Sequence, residues 1–503
     1  MVDYIVCTES INFRRILIYK TERKIEAIWA RILTFYGLVL ILTLTIFPFN
    51  GLCGGIFIEN WSLQNAIERF SWEVSVGRKS DFILNVILFL VMGFGVAGLH
   101  NRIHAKAART ITLFTVTLIG VVCSVTIETI QIFLPFRHPS VTDVLANGLG
   151  TLLGGYGYVH FGRAACRTLS SFSVKLTSNR YRQIIFSVVL TYLVFGLLLS
   201  DYQRRQISLD TWDESYHLAI GNEVTGDRPW RGSVTQVHFS SGVATDEIVN
   251  CLMSVGISST TCKASHFISA ESAELAHYSL SSFSSSIEAI EDKTGRNPPM
   301  TWQISGNDAG ADTNERLKEQ IWLQSKESVI ALNRHIASSG SFTIFVEAKT
   351  DNLHQTGPAR IVTVSKSVTQ RNFTMGQQSG SLVVRLRTSV HNNPNGTKPA
   401  FIVKNVWKPD RLQRIVVSVD NTKIKIYIDD ISNEFNISLG PEVSFFSTVA
   451  PTFLRGVCLN STGLWPAKIV YWFLFFSPVI LILPFLYIGS RNKGQAMCKI
   501  KSK

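Results

Sequence analysis

The sequence predicts a polytopic α-helical membrane bundle joined to an all-β two-sheet sandwich. Three observations lead there. Residues 1–200 hold long apolar runs, clusters of Lys and Arg stand just outside those runs, and after Tyr202 the chain changes to short runs of alternating polarity separated by Gly, Asn and Asp turns.

A membrane span needs about 20 mostly apolar residues. Six windows qualify, at residues 31–49, 81–99, 110–127, 143–161, 184–200 and 467–489. The fourth is the least apolar, because glycine rather than leucine fills it. A hydrophobic content of 46% over 503 residues, with a mean hydropathy of +0.19, fits a chain that is part membrane and part water-exposed.

The formal net charge of +13 raises nucleic acid as a partner, and its distribution excludes it. Residues 201–467 hold 25 Lys and Arg against 26 Asp and Glu, so the excess belongs to the membrane part. Lys20, Arg23, Lys24 and Arg31 stand at the first span, and Arg102, Lys106 and Arg109 between the second and third. Arg163, Arg167, Lys175, Arg180 and Arg182 separate the fourth from the fifth, and Arg491, Lys493, Lys499, Lys501 and Lys503 follow the last. One orientation puts all four clusters in the cytoplasm. Both termini are then cytoplasmic, and residues 201–466 extracytoplasmic.

Arg69, Arg78 and Lys79 go against this pattern in the outer loop after the first span. The segment IENWSLQNAIERFSWEV in that loop reads as an interfacial amphipathic helix, with Trp61 and Trp72 suited to the headgroup layer. No cleavable signal is expected, because the N-terminus is polar for some thirty residues and no small-residue cleavage site follows the first apolar run.

In the second part, VTQVHFS, SFTIFVEAK, ARIVTVSK, NFTMGQQ, SLVVRLRT, RIVVSVD and KIKIYIDD read as strands, and the polar VDNT before KIKIYIDD as a hairpin turn. Several such strands make a two-sheet sandwich. Residues 308–338 read as helical or irregular, and the Ser-rich HYSLSSFSSSIEAI as a loop. Spans at 184–200 and 467–489 tether this part at both ends, which holds it close to the bilayer.

The eight cysteines show no metal-ligand spacing. In an oxidising compartment Cys251 and Cys262 are the expected disulfide, closing NCLMSVGISSTTC; in a reducing one they stay thiols.

Chemistry concentrates in ETIQIFLPFRHPSVTDVLANGLG, residues 128–150. An ionisable side chain at membrane depth costs roughly 3 kcal/mol on insertion scales, so it is rarely there without a partner or a task. Asp81 and Asn85 are four apart, as are Asp143 and Asn147, and Glu128 and Gln131 are three apart, so each pair shares a helix face. SDFILNVILFLVMGFG and TDVLANGLGTLLGGYG align at Asp, Asn and two glycines, as an internal repeat would. The expected orientation brings all six polar side chains to the outer leaflet, with Arg137 and His138 at the mouth of the pocket they would line. Arg137 there could pair with Glu128 or take a phosphate or carboxylate. The bland alternative is that these groups glue the bundle, each contact contributing on the order of 1 kcal/mol.

The order D81-xxx-N85-xxx-F89-xxx-G93, E128-xx-Q131-xx-LPxR137 and D143-xxx-N147-xx-G150-xxx-G154 resembles the VanZ-like family of small polytopic membrane proteins, over about residues 35–165. A proline common before the family's glycine is absent from VMG at 91–93, which puts a kink in doubt and leaves the polar set intact. The resemblance implies a link to glycopeptide-type antibiotic resistance and leaves the biochemical activity undefined.

Residues 218–239 and 357–388 resemble the concanavalin A-like lectin/glucanase and laminin-G superfamily, over about 212–450. That resemblance implies a jelly-roll sandwich that binds carbohydrate. Retaining hydrolysis needs two carboxylates about 5 Å apart, and no strand here offers an ExDxxE run. The acids of IYIDD point to opposite faces. Carbohydrate or protein binding is therefore the better reading. Asp227, Asp308 and Asp312 are candidate calcium ligands, with simple solvation as the alternative; no other cofactor is expected. Trp230 and Arg231 could stack on a sugar, although a buried sandwich Trp fits as well.

The expected organisation is a cytoplasmic segment at 1–30, a VanZ-like membrane domain at 31–165, a transmembrane helix at 184–200, an extracytoplasmic sandwich at 201–466, a transmembrane helix at 467–489 and a basic cytoplasmic tail at 490–503. Candidate catalytic groups are Glu128, Asp143 and Asp81. Candidate ligand-binding groups are Asn85, Gln131, Arg137, His138 and Asn147. Expected partners are membrane lipid and a lipid-linked glycan or polysaccharide of the cell envelope. Two functions stay open: handling of such a precursor by the membrane part, and non-enzymatic anchoring of a binding module for exopolysaccharide assembly.

Overall fold

The computed structural model describes residues 26–45, 79–103, 108–132, 139–175, 179–256, 274–280, 289–304, 321–390, 396, 400–449, 456–459, 464–465 and 467–480. They fall into two compact units. The first draws on residues up to Phe47, Gly54–Phe195 and Trp472 onward, and the second is centred on Gly196–Tyr471.

The first unit is helical: α1 (Glu26–Thr45), α2 (Lys79–Ile103), α3 (Arg109–Ile132), α4 (Val141–Lys175) and α5 (Asn179–Arg205), with α9 (Ala467–Ile480) returning to it. Among the described residues four stretches, Glu26–Thr45, Phe82–Asn101, Arg109–Ile132 and Gln183–Arg205, are long and apolar enough to cross a membrane. The chain is a membrane protein. Of the two remaining predicted spans, one lies in α4, whose glycines keep it out of that set, and the other is helical over its described part, Ala467–Ile480.

Those glycines are what the unit is built on. Gly150 lies against the carbonyl of Val86, Gly154 against that of Leu90, and Gly93 against that of Thr151, so closely that a β-carbon on any of them would overlap backbone. Backbones in lipid approach this far only through small residues, because apolar burial there gives no drive and packing must supply it. Leu40, Ile41, Leu88, Phe89, Met92 and Ile127 fill the space between α1, α2 and α3. Tyr36 reaches Ser477 at 2.9 Å and Tyr192 the carbonyl of Phe475 at 2.8 Å, so α9 docks on α1 and α5. Phe186, Val188, Leu190, Phe195 and Leu198 stay exposed on α5, as a lipid-facing surface requires.

The second unit is two sheets. One has nine strands in the order β15-β11-β10-β9-β8-β1-β6-β5-β4, and the other six in the order β14-β13-β12-β7-β2-β3. The nine-stranded sheet comprises β1 (His217–Ile220), β4 (Ala289–Ile290), β5 (Met300–Ile304), β6 (Ile321–Ser325), β8 (Ala359–Ser367), β9 (Gln370–Gln378), β10 (Ser381–Leu386), β11 (Ala400–Val403) and β15 (Gly456–Cys458). The six-stranded sheet comprises β2 (Gly232–Ser241), β3 (Glu274–Ser279), β7 (Phe342–Thr350), β12 (Gln413–Val419), β13 (Lys423–Ile428) and β14 (Asp430–Ser438). Among the described residues every pairing is antiparallel except β11 with β15.

The predicted hairpin sits at β12–β13, where Asp420 accepts from the amides of Thr422 and Lys423 and closes the turn. Two readings are corrected. Residues 321–325, read as helical or irregular, form β6 between β1 and β5, and α7 begins only at Ile330 and runs to Ser339. The segment read wholly as a Ser-rich loop begins inside β3 and ends in β4. In both cases strand pairing overrides local propensity.

The inner faces meet at Phe342, whose ring packs edge-on against Phe373 of the nine-stranded sheet and Trp212 before β1. Helix α6 (Asp246–Val255), capped by Thr245, covers the far face of the six-stranded sheet with Ile248, Val249, Leu252 and Met253 on Phe345, Val416 and Tyr427. Tyr471 in α9 hydrogen-bonds Ser200 at 2.6 Å and Gln203 at 2.9 Å, both in α5. Helix α8 (Pro441–Val449) packs there through Phe445 on Tyr471.

Candidate functional site

The first turn of α4 builds the site. Ser140 stands at its N-cap, where its hydroxyl accepts from the amide of Asp143 at 3.1 Å and donates to the Asp143 carboxylate at 2.9 Å. In a capping box the third helical residue also accepts the cap's own amide. Here Glu128, from the last turns of α3, takes that amide at 3.0 Å. Asn85 on α2 donates to the other oxygen of Asp143 at 2.7 Å. A chain of polar contacts therefore runs Asn85, Asp143, Ser140, Glu128 across three helices. Two carboxylates at a helix N-terminus also gain from its dipole, by about 0.3–1 kcal/mol each where exposed and more where buried. Glu128 is 4% exposed.

The remaining predicted residues go elsewhere. One turn deeper, Asn147 donates to Ser124 of α3 at 2.8 Å, and its own side-chain oxygen is buried without a hydrogen-bond partner. Gln131 donates to the carbonyl of Thr45 at the end of α1, at 3.1 Å. Asp81 lies on α2, but its side chain is outside the described residues, as are Arg137 and His138 in full. So is the segment read as an interfacial helix, apart from the Lys79 that follows it. Sequence reasoning missed Ser140, which the S-x-x-D spacing before an apolar run could have flagged, and Ser124, which nothing local marks out.

With this geometry in place the comparison with protein families can be read. Residues 32–162 match the VanZ/LLP1 family model. The VanZ-like domain thus runs from the start of α1 into α4 and contains the whole Asn85 to Glu128 chain. No curated protein and no solved structure matches.

Outside the VanZ-like domain the sandwich candidates are placed as follows. Cys251 on α6 is disulfide-bonded, and Cys262 lies outside the described residues. Asp308 and Asp312 also lie outside them; Asp227 is exposed and accepts from Thr225 at 2.6 Å. Among the described residues no group of three or more His, Cys, Asp or Glu could hold a metal ion. Trp230 is 7% exposed and donates to Gln377 at 2.7 Å, so its ring packs inside the sandwich. Asp429 pairs with Arg411 at 3.3 Å, while Asp430 holds Ser432.

Proposed function

We propose that the VanZ-like domain handles a lipid-linked glycan or similar precursor of the cell envelope, and that this underlies a role of the glycopeptide-resistance kind. Glu128 or Asp143, with Asp81 as a further candidate, exchanges a proton with the substrate, and Asn85, Gln131 and Asn147 orient it. Arg137 takes its phosphate, with His138 beside it at the mouth of the site. The observation that carries the reading is the chain of contacts joining Asn85, Asp143, Ser140 and Glu128 at one end of three helices in a membrane unit. Two carboxylates held this close in a low-dielectric setting are costly as glue alone, since amides or hydroxyls would serve.

The second unit fits an extracytoplasmic, concanavalin A-like or laminin-G-like jelly roll that binds envelope glycan, with Cys251 and Cys262 as its disulfide. The two-sheet topology supports this.

A second reading has one observation behind it: Asn85, Ser140 and Asp143 satisfy one another. On that reading the bundle is an anchor and the chain a non-enzymatic assembly factor for exopolysaccharide.

Lipid extraction and mass spectrometry of the purified protein separate the two. A polyprenyl-linked species bound by wild type, and lost in folded Glu128→Gln and Arg137→Gln variants, is the expected result. A lipid-free protein whose variants keep full resistance or polysaccharide output would sink the first reading.

A further inference from the structure

The nine-stranded sheet carries a group of arginines, two of which keep buried N–H groups without a hydrogen-bond partner among the described residues. Register places them on one face. On β8 and β9, Val362 and Val364 pair with Met375 and Phe373, and these four are buried core. Thr363 pairs with Thr374, Thr374 with Arg385, Ser365 with Arg371 across a bulge, and Arg360 with Gly376. The opposite face therefore bears Arg360, Thr363, Ser365, Arg371, Thr374 and Arg385.

Among the described residues one carboxylate serves this face. Glu223, fully buried, takes Arg360 at 3.0 Å and the hydroxyl of Ser365, and Arg360 also donates to the carbonyl of Pro358 at 2.8 Å. Its carboxylate also accepts from the amide of Val224 at 3.3 Å. Arg371 is 2% exposed, and its Nε and Nη1 have no hydrogen-bond partner; nor has the Nε of Arg385. Arg228, half-buried, adds a further positive charge nearby, and its guanidinium donates to the carbonyl of Asp227 at 3.1 Å. Burial and the adjacent Arg360 and Arg385 push the Arg371 guanidinium down to about 9, and burial, Arg360 and Arg228 push that of Arg385 down to about 10. A guanidinium is a fixed fork of donors that cannot discharge itself at neutral pH, and each buried N–H left unpaired costs on the order of 1–3 kcal/mol.

We propose that this face of the sheet is an oxyanion-binding site, in which Arg371 and Arg385 grip a carboxylate or phosphate group of a ligand and Arg360 and Arg228 supply the surrounding field. Carboxylate and phosphate oxygens match the guanidinium fork bidentately, which an isolated hydroxyl of a neutral sugar does not. Arg385, half-buried, is the member through which the group meets solvent. The Arg360–Glu223 pair behind it is already closed at 3.0 Å, so the incoming anion does not compete for it. The site stands whether or not the sandwich also takes a glycan; if it does, the glycan is an acidic one.

Equilibrium dialysis of the full chain in a non-ionic detergent, at constant ionic strength, tests this with inorganic phosphate, sulfate, D-glucuronate and neutral D-glucose. Saturable binding of at least one anion, and none of glucose, is expected. Tighter binding of phosphate marks a phosphoryl ligand, and tighter binding of glucuronate a uronic acid. Affinity should fall at least about tenfold in Arg371→Met and in Arg385→Gln, one lost charge-assisted contact each. Absence of saturable binding of all three anions to wild type overturns the proposal. So does unchanged affinity in whichever variant keeps the wild-type far-ultraviolet circular dichroism. Arg385→Gln, at the half-buried position, guards against Arg371→Met failing to fold.

Discussion

Asn85 donates a 2.7 Å hydrogen bond to the carboxylate of Asp143, 58 positions further along the chain, and so ties the starts of α2 and α4 together. In lipid such a contact contributes about 1 kcal/mol. Asn85→Leu should therefore lower the stability of the bundle by about 1 kcal/mol. Asp143→Leu loses the Ser140 contacts as well and should cost about 2 kcal/mol. Unfolding in mixed micelles by titration with a denaturing detergent measures both, and equal costs would mean that the cap contributes nothing.

Two glycines of α4 should respond oppositely to the same methyl group. At Gly150 the new β-carbon meets the backbone of Val86, which cannot move alone, so Gly150→Ala forces α2 and α4 apart. Overpacking of this kind costs about 1–3 kcal/mol. At Gly157 the nearest atom is Phe94 Cδ2 at 3.7 Å, an ordinary contact. Gly157→Ala should be neutral or stabilising by up to about 1 kcal/mol, from helix propensity. Thermal stability of the two variants in one detergent decides, and a reversed order would refute the close approach.

Asp292 holds the turn after β4. Burial works against its charge, but hydrogen bonds from Thr294, from the amides of His277 and Asn297 and from the Asn297 side chain outweigh it and hold the carboxyl below its usual range. A depressed carboxylate stabilises the fold above its ordinary pKa, and that stability is lost as pH falls through the lowered value. Asp292→Ala leaves several buried donors unpaired and should cost about 2–3 kcal/mol near neutral pH, with a smaller deficit in acid. Denaturant midpoints at the two pH values check it; a deficit that does not shrink in acid counts against the assignment.

Glu442 behaves in the opposite sense. It is 1% exposed at the start of α8, and burial pushes its carboxyl up despite Lys468 at 3.9 Å. With the folded value raised, the folded state binds the proton more tightly, so stability falls as pH rises from the ordinary carboxylate range through the raised one. Glu442→Gln should melt above wild type at about pH 8 and together with it at about pH 3. A variant that melts lower at about pH 8 would show that the pairing with Lys468 outweighs burial.

Particular elements show where local reading succeeds. KIKIYIDD alternates with a polar turn before it, and β13 pairs with β12 across that turn. Residues 321–325 carry a similar apolar content without clean alternation, and only their pairing with β1 and β5 makes them a strand. In the membrane unit the residue types were legible and their partners were not. Helical spacing pairs Asp143 with Asn147 on one face, yet Asp143 bonds Asn85 and Asn147 bonds Ser124. Spacing sets the face, and the neighbouring helix sets the contact.

The chain by itself determined which stretches are long and apolar enough to cross a membrane, because apolar run length acts locally and needs no partner. It also determined that polar groups near residues 128–147 had to be accounted for. Tertiary structure alone decided that Glu128 meets the amide of Ser140 and that Gly150 touches Val86. It decided too that three arginines share a face with one glutamate. Such relationships join residues far apart in sequence, and their energies arise only when packing removes water or lipid from between them.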